Sequence, residues 1–130
     1  MLYNSPFNKN VILNSDYEKF KQKGVVVFGT GNLGALCLHA LKQKNIKTVC
    51  FVDNNISNWE KKFNDIDVIS PEKLKSKYND YPVLISSLNF KYLKRQLSSL
   101  GIKDINYCDG LFTNFELAGS NTTWSLDRCK

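Results

Sequence analysis

The residues best suited to chemistry are the six from Gly29 to Gly34, Gly-Thr-Gly-Asn-Leu-Gly. Three glycines at this spacing suit a turn that receives phosphate. Gly29 lets the chain leave a strand sharply, Gly31 offers backbone with no Cβ to a pyrophosphate, and Gly34 allows a helix to pack close. Unpaired N–H groups and partial positive charge at that helix's start attract the anion. Between the glycines stand Thr30, Asn32 and Leu33, and Asn32 either caps the helix or contacts the anion. Asp53 follows Gly34 by 19 residues, with Asn54 beside it. Its carboxylate suits ribose hydroxyls and would repel a 2′-phosphate, which disfavours NADP. The competing reading is architectural: glycines that only make a turn, and an Asp53 that only caps a loop.

Elements at the right places must surround such a turn for the motif to mean anything. Val25-Val26-Val27-Phe28 is a β-branched run of the kind buried on both faces of a parallel sheet, and it leads directly into Gly29. From Asn32 to Lys44, Leu33, Leu36, Cys37, Ala40 and Leu41 recur at helical steps, predicting a helix with one apolar face. Thr48–Val52 reads as the second strand, ending at Asp53. Ile56 to Asp65 reads as irregular surface chain, and Ile66–Ile69 as a short strand. Ser70-Pro71-Glu72 announces a helix with Leu74 and Tyr78 facing inward. Val83–Ile85 is another buried-type strand, ending at Ser86 and Ser87, which either line the pocket or cap a helix. Phe90, Leu93, Leu97 and Leu100 share one helical face that stops at Gly101, and Ile102–Tyr107 makes a last strand. Strands alternating with helices predict a Rossmann-like three-layer α/β/α domain with a parallel sheet of about five strands.

Composition narrows the partners. The chain has 130 residues, 42% of them hydrophobic and 23% charged, which fits one globular domain and not a disordered tail. Cys37, Cys50, Cys108 and Cys129 stand far apart and His39 is the sole histidine, so no metal site is expected. Cys37 and Cys50 read as small core hydrophobes. A formal charge of +6 favours anionic partners in general, but the lysines are scattered along the chain. A nucleic-acid surface would gather them with exposed aromatics, so none is expected. The N-terminus lacks a signal-peptide pattern and no apolar run approaches membrane-spanning length, which predicts a cytoplasmic protein without membrane insertion. Tyr17 with Lys21, Ser70 with Lys73, and His39 have spacings met in enzymes, but each stands outside the context those chemistries need.

From Val25 to about Phe112 the chain resembles a Rossmann-like domain of bacterial surface-polysaccharide and sugar-nucleotide enzymes. The resemblance is carried by VVVFGTGNLGALCLHALKQKNIKTVCFVDNN, by NWEKKFNDIDVISPEKL and by VLISSLNFKYLKRQLSSLGI. Similar domains accompany sugar methyltransferases and form N-terminal parts of sugar-nucleotide acetyltransferases. The resemblance implies NAD or a nucleotide-sugar of UDP or GDP type over the turn, with Gly29, Gly31, Gly34 and Asp53 at the matching positions. It supplies no catalytic residue, because in such proteins the chemistry often belongs to a separate catalytic domain. The expected organisation is a lead-in helix over 1–24, the nucleotide-binding domain over 25–112, and a C-terminal extension or the start of another domain over 113–130. Two other functions compete: a small NAD-dependent oxidoreductase or epimerase completed by homodimerisation, and a ligand-free protein-interaction domain.

Overall fold

The structure is a computed structural model, and it describes Ile12 and residues 14–112. Helix α1 (Asn14–Lys23) ends where the Gly24 N–H returns to the Phe20 carbonyl, with Gly24 at φ +87°. Strand β1 (Val25–Phe28) leads to α2 (Asn32–Gln43) and β2 (Thr48–Val52). A 3-10 turn (Ile56–Asn58) and a short hairpin of β3 (Lys62–Phe63) and β4 (Ile66–Ile69) come next. Then follow α3 (Pro71–Lys77), β5 (Val83–Ile85), α4 (Phe90–Ser99) and β6 (Ile105–Tyr107), and a 3-10 turn over Cys108–Leu111.

The strands form one six-stranded sheet in the order β3-β4-β2-β1-β5-β6. All neighbours are parallel except β3 and β4, so the fold is the expected Rossmann-like α/β with one more strand than predicted and an antiparallel edge. The extra strand falls in the stretch expected to be irregular. Asn64 and Asp65 both have positive φ, 52° and 67°, which makes the two-residue turn of a tight hairpin. Asn and Asp tolerate this conformation better than other side-chain-bearing residues, which is why a hairpin forms here without glycine.

Strand alternation divides the core in two. Val25, Val27, Phe51 and Leu84 face Phe20 of α1 and Cys37, Leu38, Ala40 and Leu41 of α2. Val26, Phe28, Val52 and Ile85 face Leu74 of α3 and Leu93 and Leu97 of α4. Two helices therefore cover each face, and β1, buried on both, is fully apolar. Burial pushes the Cys50 thiol up to about 12, and the neighbouring Cys108 thiol together with burial raises that of Cys37, so both remain protonated packing groups.

The apolar stripe of α2 is rotated from the expected one. Leu38 is buried, whereas Leu36 is 54% exposed. Leucines 36 and 38 lie two positions apart and so point away from each other; the pattern alone did not say which joined the core. Among the described residues no helix is long and apolar enough to cross a membrane. Residues 1–11, 13 and 113–130, including the expected C-terminal extension, lie outside the described residues. Leu41→Ala should cost about 2–5 kcal/mol through the cavity left in a fully buried site. Leu36→Ala should change stability by less than about 0.5 kcal/mol. Urea unfolding midpoints of the two variants check this contrast.

Candidate functional site

After β1 the chain moves outward to β2 and β4, then crosses back so that β5 pairs with the other side of β1. Strand order therefore reverses between β1 and β5, and in open α/β sheets ligands sit in the crevice above the carboxyl ends at such a reversal. Gly29 to Gly34 and Ser86–Ser87 border it directly, and Asp53–Asn54 end the adjacent strand β2. The expected site residues are thus gathered on one edge of the sheet.

The three glycines have different jobs. Gly29 takes φ +124°, its N–H donates to the Val52 carbonyl at 2.8 Å, and a Cβ on it would lie 2.6 Å from Ser86 Oγ. A Cβ on Gly34 would lie 2.3 Å from the Gly29 carbonyl oxygen, closer than any side chain permits. Both are required by the packing of the turn against α2 and β5. Gly31 is not. Its φ of −87° suits any residue, and a Cβ there would meet nothing within 4 Å.

Gly31 is also the N-cap of α2, and no side chain caps the helix. The expected capping role of Asn32 is therefore corrected: Asn32 is the first helical residue, one position too late to close the helix start, and its side chain is exposed. Ser, Asp or Asn at position 31 would add a capping oxygen worth only a few tenths of a kcal/mol over glycine. The chain instead presents bare main chain and open N–H groups to the crevice. Leu33 packs half-buried against the core behind the turn.

The side chains around the turn are largely committed. Thr30 Oγ1 donates to Asp53 Oδ2 at 2.5 Å, which ties the glycine turn to the end of β2. Asp53 Oδ2 also accepts from Asn58 Nδ2 at 3.2 Å, and Oδ1 from the Asn55 N–H at 2.8 Å. Its carbonyl accepts from Trp59 Nε1 at 2.7 Å. Asp53 thus caps the following loop, as the architectural alternative held. Three donors on a carboxylate leave about one acceptor position for a ligand hydroxyl.

Asn54 pairs reciprocally with Gln96 of α4, at 2.9 and 2.7 Å, bracing the end of β2 against the helix after β5. Gln96 was missed in the sequence because nothing local marks a partner 42 residues away. Ser86, buried, donates from Oγ to the Phe28 carbonyl at 2.9 Å and reaches the Gly29 carbonyl at 3.1 Å, so it braces the glycine turn from behind. Ser87 Oγ accepts from the Asn89 N–H at 3.1 Å and shapes the entry to α4. The Ser86 O–H is committed, whereas Ser87 keeps its O–H to donate. Among the described residues no group of three or more His, Cys, Asp or Glu could hold a metal ion.

This division of labour separates two substitutions that look alike in sequence. Gly34→Ala should lower stability by about 1–3 kcal/mol, because Gly29 backbone must move. Gly31→Ala should cost no more than about 1 kcal/mol, because alanine is a poorer N-cap than glycine but its Cβ meets nothing. Chemical denaturation of both variants tests this, and equal losses would contradict it.

Comparison with known proteins places the fold. UDP-D-quinovosamine 4-dehydrogenase from Vibrio fischeri superposes with a TM-score of 0.52 at 21% identity, over 79% of this chain and 93% of that one. RSP in complex with β-NAD+ and operator DNA gives 0.48 at 20% identity, over 72% of this chain and 55% of RSP. RSP with β-NADH gives 0.48 at 21% identity, over 72% and 58%. The chain thus spans little more than half the length of RSP. Likeness at this identity carries the fold alone. No curated protein matches the chain. The family model described as C2185-like, N-terminal, matches residues 21–106, which takes in β1, the glycine turn, Asp53 and the sheet through Asn106. The chain belongs to the C2185-like, N-terminal family.

Proposed function

We propose that this domain binds the pyrophosphate of NAD or of a UDP- or GDP-type nucleotide-sugar at the turn from Gly29 to Gly34. The observation that carries this reading is Gly31: a glycine that neither backbone conformation nor packing requires, set at an uncapped helix start. Glycine is itself an acceptable N-cap, and at this position it also leaves the main chain open to whatever approaches the helix start. A diphosphate suits that opening, because it accepts hydrogen bonds from the open N–H groups and is favoured by the helix dipole.

The remaining residues fall into supporting roles. Gly29, Gly34 and Ser86 hold the turn; Thr30 fixes its position relative to Asp53. Asp53, with about one acceptor position left, takes a single hydroxyl of the ligand's ribose and not a bidentate pair. Asn32, exposed at the first turn of α2, reaches the phosphates from the side. Asn54 acts through Gln96 and keeps β2 and α4 in register around the crevice.

This set binds and orients but offers no group poised for proton or acyl transfer, so the domain serves a catalytic partner domain in surface-polysaccharide or sugar-nucleotide biosynthesis, in the cytoplasm. The dinucleotide and the nucleotide-sugar share the diphosphate and differ beyond it. Titration calorimetry of the full chain against NAD, UDP-glucose and GDP-mannose should give a saturable heat with at least one of them. Gly31→Val should remove that heat while leaving the circular dichroism spectrum unchanged. A folded protein silent toward all three would end the proposal.

A further inference from the structure

A second concavity lies away from the glycine turn, at the hairpin edge of the sheet. It is a groove of about 300 Å³ lined by Trp59, Glu60, Lys62 and Asp67 on the hairpin side and by Ser70 and Lys73 at the start of α3. This is the small end of the ligand-pocket range, room for one ring and not for a dinucleotide. Lys62 and Asp67 pair with each other at 2.6 Å. The Glu60 carboxylate and the Lys73 ammonium form no hydrogen bond or ion pair with any described residue. Trp59, half-buried, is held by its Nε1 bond to the Asp53 carbonyl, so its ring is a fixed wall.

Glu60 stands at φ +63°, a left-handed conformation that a glutamate adopts at a cost and that glycine would adopt freely. The conformation belongs to a bulge of the hairpin, in which the Glu60 N–H donates to the Val68 carbonyl and the Val68 N–H to the Lys61 carbonyl. The bulge sets at the rim of the groove a carboxylate that has no hydrogen-bond or ion-pair partner among the described residues. The chemistry of the lining selects among ligands. Both charges are exposed, and, with Lys62 foremost, Lys73 also helps hold the Asp67 carboxyl below its usual range, so a further charge on the ligand would be screened and would gain little. Neutral hydroxyls gain charge-assisted hydrogen bonds from a carboxylate acceptor and an ammonium donor without bringing a charge of their own to desolvate. A rigid aromatic wall offers an apolar face to ring C–H groups.

We infer that the groove between Trp59, Glu60 and Lys73 is a carbohydrate site that takes one neutral, polyhydroxylated hexose ring. The site is separate from the diphosphate seat at Gly31. Asp53 lies between the two, with its carboxylate on Thr30 and its carbonyl on Trp59.

The test uses the full chain labelled with nitrogen-15, titrated with glucose, galactose and N-acetylglucosamine to about 10 mM, tenfold above a Kd of about 1 mM. The Trp59 indole N–H signal, assigned by its loss in Trp59→Phe, and the amides of Glu60 to Asp67 should shift saturably with at least one hexose. Glu60→Gly and Lys73→Ala should each weaken that response by about tenfold, the loss of one charge-assisted bond. Glu60→Gly should do so without lowering the thermal midpoint, because glycine relaxes the strained φ. Gly31→Val should leave the hexose response intact, which separates this site from the diphosphate reading. Absence of saturable shifts with all three sugars, or shifts that persist in both Glu60→Gly and Lys73→Ala, would overturn the inference.

Discussion

Helix α2 can start where it does because a Cβ is missing at Gly34, where it would come within 2.3 Å of the Gly29 carbonyl oxygen. That close approach brings the helix axis onto the end of β1 and aims its first N–H groups at the crevice. Ser86 completes the arrangement from β5, since its hydroxyl bonds the Phe28 carbonyl and fills the space a side chain on Gly29 would need. Three strands thus meet at one turn: β1 supplies it, β5 backs it, and β2 receives the Gly29 N–H through Val52. With the turn held from both sides, Gly31 can remain bare without loss of order.

Asp53 spends most of its hydrogen-bonding capacity on the fold. Its carboxylate collects Thr30, Asn55 and Asn58, and its carbonyl collects Trp59. These bonds fix the glycine turn relative to the loop after β2 and immobilise the indole that walls the hairpin groove. Side chains held in place beforehand would lower the ordering cost of any ligand bound beside them. The same commitments limit what Asp53 offers a ligand, since most of its acceptor capacity is taken before any ligand arrives.

Much of the architecture could be read along the chain because it rests on local rules. Val25–Phe28 and Val83–Ile85 are apolar without interruption because both faces of a central parallel strand are covered. Ser70 caps α3 through the Lys73 N–H, with Pro71 at the first helical position, as the residue types dictate. The hairpin at Lys62–Ile69 was hidden by its brevity and by a turn made of Asn64 and Asp65 instead of glycine. The exposure of Leu36 was hidden too, because periodicity defines a stripe but the angle of the helix on the sheet decides its edge.

Taken alone, the sequence determined the order of strands and helices, the βα turn, and the gathering of Gly29–Gly34, Asp53 and Ser86 at strand ends. Spacing and burial pattern act within a dozen residues, and parallel strands place their ends on one edge. The tertiary structure decided which of those residues are free. Gly29 and Gly34 are consumed by packing and Gly31 is not; the Ser86 hydroxyl is committed to the glycine turn, while Ser87, Asn54 and Asp53 each keep part of their hydrogen-bonding capacity. The long-range part of this, Thr30 with Asp53, Asn54 with Gln96 and Ser86 with Phe28, depends on hydrogen bonds between residues 23 to 58 positions apart, which no local pattern encodes.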